Sequence, residues 1–270
     1  MAITGLLRQG ELLSANTETV VDADGLGKFS YQWYAGGVAI TEATGDVYKL
    51  TASEVGKTLT VSISYADGHQ TRETMTSPVT TRILPPAGTG VNLSGKISFW
   101  KSDAAISGVA STVSGNGQTI SGMTTGVDGL YSHLELLAAS YGVESSKTVD
   151  ASVTNAVKAN DALAALKIAV GLSPNSDGSE VSNYQLLAAD VNRDGKVNAS
   201  DALAILKMAV QLSTAPANEW LFVPESIAAE SMNRTNVGWS SIPSNVSVTA
   251  DMHVDIVGIV KGDVNGSWSA

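Results

Sequence analysis

Residues 190–210 read DVNRDGKVNASDALAILKMAV. Three aspartates and two asparagines fall at near-regular intervals, a glycine breaks the middle, and an apolar run follows at once. Counted from Asp190 as position 1, positions 3 and 5 are Asn192 and Asp194, position 6 is Gly195, position 7 is Lys196, position 9 is Asn198 and position 12 is Asp201. A loop that wraps one hard cation needs oxygen ligands at positions 1, 3, 5, 7, 9 and 12 and a sharp turn at 6; Lys196 would serve through its carbonyl alone. Asp190, Asp194 and Asp201 repel one another unless a cation lies between them. A solvated acidic turn followed by a helix cap is the plain alternative.

The run after the loop has helical periodicity. SDALAILKMAVQL (200–212) and NDALAALKIAVGL (160–172) are near copies, differing only at Asn160/Ser200, Ala165/Ile205, Ile168/Met208 and Gly171/Gln211. They form an internal repeat. Leu and Ala recur at i, i+3, i+4, the pattern of an amphipathic helix. Asn160 and Ser200 suit helix N-caps, and Asp161 and Asp201 suit the positive end of the first turn. SNYQLLAAD (182–190) predicts a short third helix.

A cation loop closed by Asp rather than Glu at position 12, followed by a helix with an internal LK, resembles a dockerin repeat. Dockerins pair two such loop–helix units. The resemblance implies Ca2+ as cofactor, held by Asp190, Asn192, Asp194, Lys196, Asn198 and Asp201, and a cohesin-like partner. The other helix matches, but the stretch before it, DASVTNAVKAND (150–161), does not: Asp150, Ser152 and Thr154 occupy positions 1, 3 and 5 while Asn155 replaces the glycine. That stretch reads as a weak loop or a vestigial turn. KGDVNGSWSA (261–270) repeats the D-x-N-x-(D/S) opening at Asp263, Asn265 and Ser267, with no helix after it. The two halves could complete one another as a second, split site made by Asp263, Asn265, Ser267 and Asp161; an ordinary Asn-Gly turn is the alternative.

Both flanks read as β. In residues 1–82, FSYQWYAGG, VYKLTASEVG and KTLTVSISYADG alternate apolar and polar residues between turn signals, with Trp33 and Tyr48 as core aromatics. ILPPAGTGVN (83–92) is a Pro/Gly-rich linker. A second β stretch starts at residue 93 and is unfinished at Asp150; β character returns at EWLFVPES (219–226) and VSVTADMHVDIVGIVKGD (246–263). The expected architecture is mainly β with an α insert: a β-sandwich over 1–82, a linker over 83–92, a second β-sandwich split into 93–149 plus 216–270, and a dockerin-like helical insert over 150–215.

Residues 4–80, through TGLLRQGELLSANT, DADGLGKFSYQWYAGG and YKLTASEVGKTLTVSISYADG, resemble the bacterial Ig-like repeats of secreted adhesins and repeats-in-toxin proteins. SGKISFWKSDAAISGVASTVSG and TTGVDGLYSHLELLAASYGVESSK are similar to the opening of a Cna-B or carboxypeptidase-regulatory-like sandwich. Some such domains form isopeptide bonds, which would involve Lys96 or Lys101, but spacing places no acceptor opposite either.

Composition narrows the function. The 270 residues carry a net charge of −10 and are 43% hydrophobic, enough for packed cores. The acidic balance argues against a nucleic-acid partner and an anionic membrane surface. The absence of cysteine excludes disulfides, thiol catalysis and cysteine-zinc sites. No apolar run reaches membrane-spanning length, and residues 1–20 do not read as a signal peptide. His69, His133 and His253 share no motif, and no H-E-x-x-H, G-x-S-x-G or Walker pattern occurs. Asp251, His253 and Asp255 read as a strand surface. Asp22, Asp24 and Asp67 read as turn residues or a further cation site. Trp100, Trp220, Trp239 and Trp268 offer a glycan platform or, more commonly, core packing. ESMNRTNVGWSSIPSN (230–245) is a polar loop, a connection or a binding element.

These readings converge on a non-catalytic, calcium-stabilised extracellular module of a bacterial surface or adhesin-type protein. The helix faces near Ala159–Asn160 and Ala199–Ser200 would dock a cohesin-like partner or be consumed by packing within the chain. The alternative is the dockerin-bearing anchoring tail of a larger secreted polysaccharide-degrading enzyme.

Overall fold

The computed structural model describes residues 1–239, 242 and 245–269. Contacts divide the chain into two units, Met1–Val91 with Leu134–Leu137, and Asn92–His133 with Ala138–Ala270.

The first unit is built from two antiparallel sheets. One is ordered β1 (Ala2–Thr4), β2 (Leu12–Asn16), β5 (Val47–Lys49); the other β4 (Val38–Ala39), β3 (Ser30–Ala35), β6 (Leu59–Ala66), β7 (Arg72–Thr76). Leu59, Val61, Ile63 and Tyr65 of β6 are buried while the residues between them are not, the period-2 signature of a half-buried strand. Leu13, Trp33, Leu50, Leu59, Val61 and Ile83 share one core. The Trp33 indole satisfies its N–H on the Gly45 carbonyl at 2.9 Å and packs on Tyr48, ring centroids 5.8 Å apart. Within the stretch read as a linker, Ile83 thus packs into this core and the next strand already starts at Val91.

The second unit contains a sheet ordered β10 (Gln118–Ser121), β9 (Ala110–Gly115), β12 (Ala139–Ser146), β14 (Asn245–Val248). A further sheet is ordered β11 (Leu130–Leu136), β8 (Val91–Phe99), β16 (Ile256–Val260), β13 (Trp220–Pro224), with β15 (Met252–His253) also on β8. Four helices lie between β12 and β13: α1 (Ala151–Ala156), α2 (Ala159–Ala169), α3 (Asn183–Ala189) and α4 (Ala199–Ala209). The strands that follow them join both sheets begun before them: β14 pairs antiparallel with β12, and β16 pairs in parallel with β8, Ile256 opposite Ile97. The protein is mainly β with a helical insert. No helix among the described residues is long and apolar enough to cross a membrane.

The helices start earlier than the capping pattern predicts. Lys158 and Asn198 are the N-caps of α2 and α4, which puts Asn160 and Ser200 inside the first turn. The reason is the aspartate three residues beyond each cap: Asp161 accepts from the Lys158 amide at 2.9 Å and Asp201 from the Asn198 amide at 3.0 Å. Asp150 caps α1, accepting from the amides of Ser152 at 2.9 Å and Val153 at 3.4 Å, so residues 150–155 form a helical turn and not the opening of a cation loop.

Candidate metal centre

The loop from Asp190 to Asp201 leaves α3 and enters α4. Asp190 and Asp201 are both fully buried, whereas the side chains of Asn192, Asp194 and Lys196 lie at the surface. Asp190 is held by three donors: Oδ1 accepts from the Asp194 amide at 3.2 Å, and Oδ2 accepts from the Gly195 amide at 2.9 Å and from the Trp239 indole Nε1 at 2.7 Å. Gly195 has φ +81°, which lets the chain turn back and present its amide. The Asp194 amide also donates to Asn192 Oδ1 at 2.8 Å, and Lys196 N donates to Asp194 Oδ1 at 2.9 Å. Asn198 Oδ1 caps α4 through the Ser200 amide at 2.8 Å. Asp201 Oδ2 takes the Asn198 amide, but its buried Oδ1 has no hydrogen-bond partner; the Asn192 amide faces the carboxyl without closing a bond of good geometry.

Electrostatics agree with the geometry. Burial, opposed by the hydrogen bonds from Trp239 and Gly195 and reinforced by the charge of Asp194, raises the pKa of Asp190. Burial first, then the charges of Asp190 and Asp194, raises that of Asp201. Three carboxylates therefore feel one another in a desolvated loop. An orphaned, buried carboxylate oxygen costs about 1–3 kcal/mol or more when nothing satisfies it, and an all-oxygen donor set suits a hard divalent cation.

The second group is also brought together. Asp161 and Asp263 are fully buried. Asp161 accepts from Lys158 N and from Asn265 N, each at 2.9 Å. Asp263 accepts from Ser267 N at 2.8 Å and Trp268 N at 2.9 Å, and the Ser267 hydroxyl donates to the Ala156 carbonyl at 2.9 Å. Burial pushes the Asp161 carboxyl up to about 6 against the pull of the Asn265 and Lys158 amides, and the Asp263 charge adds to the rise. Burial likewise raises Asp263.

The contribution of the 230–245 loop was not legible in the sequence. Val237 N donates to the Gly195 carbonyl at 2.8 Å, Val197 N donates to the Arg234 carbonyl at 2.7 Å, and Trp239 reaches Asp190 while Arg193 lies 5.1 Å from its ring centroid. Nothing but a tryptophan in a polar segment marked it. Residues 240, 241, 243 and 244 lie outside the described residues. Trp220 and Trp268 are buried, each with its ring centroid within 6.5 Å of Phe99, so they are core and not an open platform. His253 pairs with Asp255 at 2.9 Å on an exposed strand. In the first unit Asp67 closes a turn by accepting from His69 N and Thr71 N, and Asp22 accepts from Asp24 N; Asp24, Asp67 and His69 also bring one ligand-type atom each within 4.8 Å of one another.

Residues 150–210 match the family model of the dockerin type I domain. Dockerin type I domains bind calcium, and the donor set around Asp201 fits that ion. Comparison with curated proteins found no match. Among solved structures, similarity extends to BcpA, the major pilin subunit of Bacillus cereus, at 10% identity and a TM-score of 0.20, covering 50% of this chain and 51% of that one. Its D312A form has 9% identity and a TM-score of 0.20, covering 53% and 58%. The fibronectin(III)-like modules of Clostridium thermocellum CbhA have 17% identity and a TM-score of 0.21, covering 52% and 77%. The chain spans about half the length of the pilin subunits, and likenesses this faint assign nothing further.

Proposed function

We propose that this chain is a non-catalytic, calcium-stabilised extracellular module that docks a cohesin-type partner through the exposed faces of α2 and α4. The observation that carries the reading is a duplicated apolar stripe. Leu163 and Leu203 are 55% and 54% exposed, and Leu166 and Leu206 44% and 42%. Val170 and Val210 follow at the i+7 position and are also exposed, as are Leu172 and Leu212 just beyond. The opposite faces, Ala162, Ala165 and Ile168 on one helix and Ala202, Ile205 and Met208 on the other, are buried. An amphipathic helix normally points its leucines inward. Here alanine faces the core and leucine faces water, twice over, and paired apolar stripes left in solvent fit a protein partner. The faces are therefore not consumed by packing within the chain.

The calcium loop supports this role by fixing the start of α4, whose first turn carries Asp201. Asp190, Asn192, Asp194 and Asp201 would contribute side-chain oxygens, Lys196 its carbonyl, and Asn198 would border the ion while capping the helix. On this reading the module belongs to a bacterial surface or adhesin-type protein. The dockerin match itself equally favours the alternative of an anchoring tail on a larger secreted polysaccharide-degrading enzyme. Capture of purified cohesins by the immobilised chain tests the docking: retention in calcium and release by EDTA are expected. Replacing Leu163, Leu166, Leu203 and Leu206 together by aspartate should abolish capture while leaving the calcium-bound fold intact. Capture that survives those four substitutions overturns the proposal.

A further inference from the structure

The hydrogen-bond frame of the contiguous loop recurs in two segments far apart in the chain. We infer that residues 263–268 and 156–161 are the two halves of one twelve-position calcium loop, joined only by noncovalent contact, so that a second calcium ion ties the 263–268 segment to the helical insert. The inference rests on reading the contiguous loop as a calcium site.

The correspondence is position by position. At position 1, Asp263 accepts from the amides of positions 5 and 6, Ser267 and Trp268, at 2.8 and 2.9 Å; Asp190 accepts from Asp194 and Gly195 at 3.2 and 2.9 Å. At position 12, Asp161 accepts from the position-9 amide of Lys158 at 2.9 Å, as Asp201 does from Asn198 at 3.0 Å. Position 4 is left-handed in both, Gly266 at φ +69° and Arg193 at φ +58°. Positions 2 and 8 are buried valines in both: Val264 and Val157, Val191 and Val197. The halves are spliced by the Asn265 amide on Asp161 Oδ1 at 2.9 Å and by the Ser267 hydroxyl on the Ala156 carbonyl, which stands at position 7.

Two departures have physical reasons. Glycine at position 6 serves a chain that must bend back into positions 7 to 12. Here the chain does not continue that way, and position 6 is Trp268, whose ring packs 4.9 Å from the centroids of both Phe99 and Trp220. Glycine appears instead at position 4, where a Cβ on Gly266 would meet Trp100 Cζ2 at 2.7 Å and Lys101 Cβ at 2.6 Å. Position 9 is Lys158, which removes a side-chain oxygen, but in the contiguous loop the Asn198 oxygen is already engaged on Ser200. Asp161 and Asp263 are fully buried, and among the described residues no lysine, arginine or histidine pairs with either. A cation bound between the halves supplies the missing positive charge.

The test is calorimetric titration of the full chain with calcium ion alone, joined to hydrogen exchange of the 261–270 segment. Two equivalents are expected. Asp190→Asn should remove or weaken one of them, by at least about tenfold. Asp263→Asn and Asp161→Asn should each remove or weaken the other, and combining these two should cost no further site. Calcium should protect the Ser267 and Trp268 amides in the wild type and in Asp190→Asn, but not in Asp263→Asn. If Asp263→Asn fails to fold by circular dichroism, Asp161→Asn and the wild-type exchange data decide. A single equivalent that only Asp190→Asn abolishes overturns the split loop and leaves the contiguous site standing. Absence of any calcium binding overturns both.

Discussion

Asp201→Asn should change the sign of its effect on stability with the presence of calcium. The side chain is fully buried, Oδ2 accepts from the Asn198 amide at 3.0 Å, and Oδ1 has no partner. An asparagine can keep its carbonyl in the place of Oδ2 and set its amide nitrogen in the place of Oδ1, facing the carboxylates of Asp190 and Asp194. Without calcium, the substitution removes a buried like charge and replaces an orphaned acceptor with a donor, a gain of about 1–3 kcal/mol. With calcium, it removes the position-12 carboxylate. A loop of micromolar affinity in about 1 mM calcium contributes about 4 kcal/mol, and a hundredfold weaker loop loses about 2.7 kcal/mol of that. For a unit of this size each kcal/mol moves the midpoint by roughly 2–4 °C. The helical circular-dichroism signal should therefore melt about 5–10 °C lower than wild type in calcium, yet a few degrees higher in EDTA. A variant that melts lower by the same amount in both buffers would show that Asp201 acts through its hydrogen bond to the α4 cap, and the calcium reading of the loop would fail.

Trp239→Phe keeps the ring and deletes the indole N–H that holds Asp190 Oδ2 at 2.7 Å; calcium affinity should fall roughly tenfold, read by calorimetry. Trp239 also reports on the loop, so its fluorescence should shift on calcium addition in the wild type and not in Asp190→Asn. The pH dependence has a definite sign: Asp161 is raised from 3.8 to about 6, so in EDTA its contribution to stability is fully present below about pH 4 and is lost as pH rises through about 6. Calcium displaces that proton, and the melting-temperature gap between calcium and EDTA should widen from pH 5 to pH 7; a gap that narrows over that range contradicts the buried carboxylate. Gly266→Ala, forced to a left-handed φ with its Cβ against Trp100 and Lys101, should weaken binding at the split loop while leaving the contiguous loop untouched, as calcium titration of the full chain would show.

The contiguous loop was legible because its ligands, turn glycine and closing carboxylate all lie within twelve consecutive positions, where spacing alone encodes the contact. The split pairing was legible as a possibility for a related reason: DVN opens both Asp190 and Asp263 segments, and NDALA and SDALA close both helix starts. Which half meets which is a tertiary fact, set by β16 delivering Asp263 beside α2. The helix starts were misplaced by two residues because Asn160 and Ser200 carry good capping side chains, whereas the aspartate after each one reaches back to an earlier amide. The parallel pairing of β16 with β8 left no trace, since fully buried strands such as IVGIV show no alternation to assign a face or a neighbour. Trp239 was invisible as a participant because its partner, Asp190, is 49 residues away in sequence.

Calcium bears directly on how the docking face is presented. Helices as short as α2 and α4 have little stability of their own in water, so tertiary ties must hold them. Direct ties to the sheets exist, such as the Gly262 amide on the Ala188 carbonyl at 2.9 Å and the Asn183 side chain on the Ile227 carbonyl at 2.7 Å, but they anchor α3. The exposed leucines that would meet a partner sit on α2 and α4, and what fixes the starts of those two helices is buried carboxylate: Asp161 for one, Asp201 for the other. Each is stable as an anion only when a cation shares its site. Chelation should therefore loosen α2 and α4 before it loosens the sheets, and the two stripes should lose their common geometry while the β framework persists. Amide exchange resolved by segment would show this as calcium-dependent protection concentrated in residues 156–170 and 190–210, with β8, β12 and β16 protected in either buffer; uniform loss of protection across the unit would mean that the ion holds the whole fold rather than the docking face.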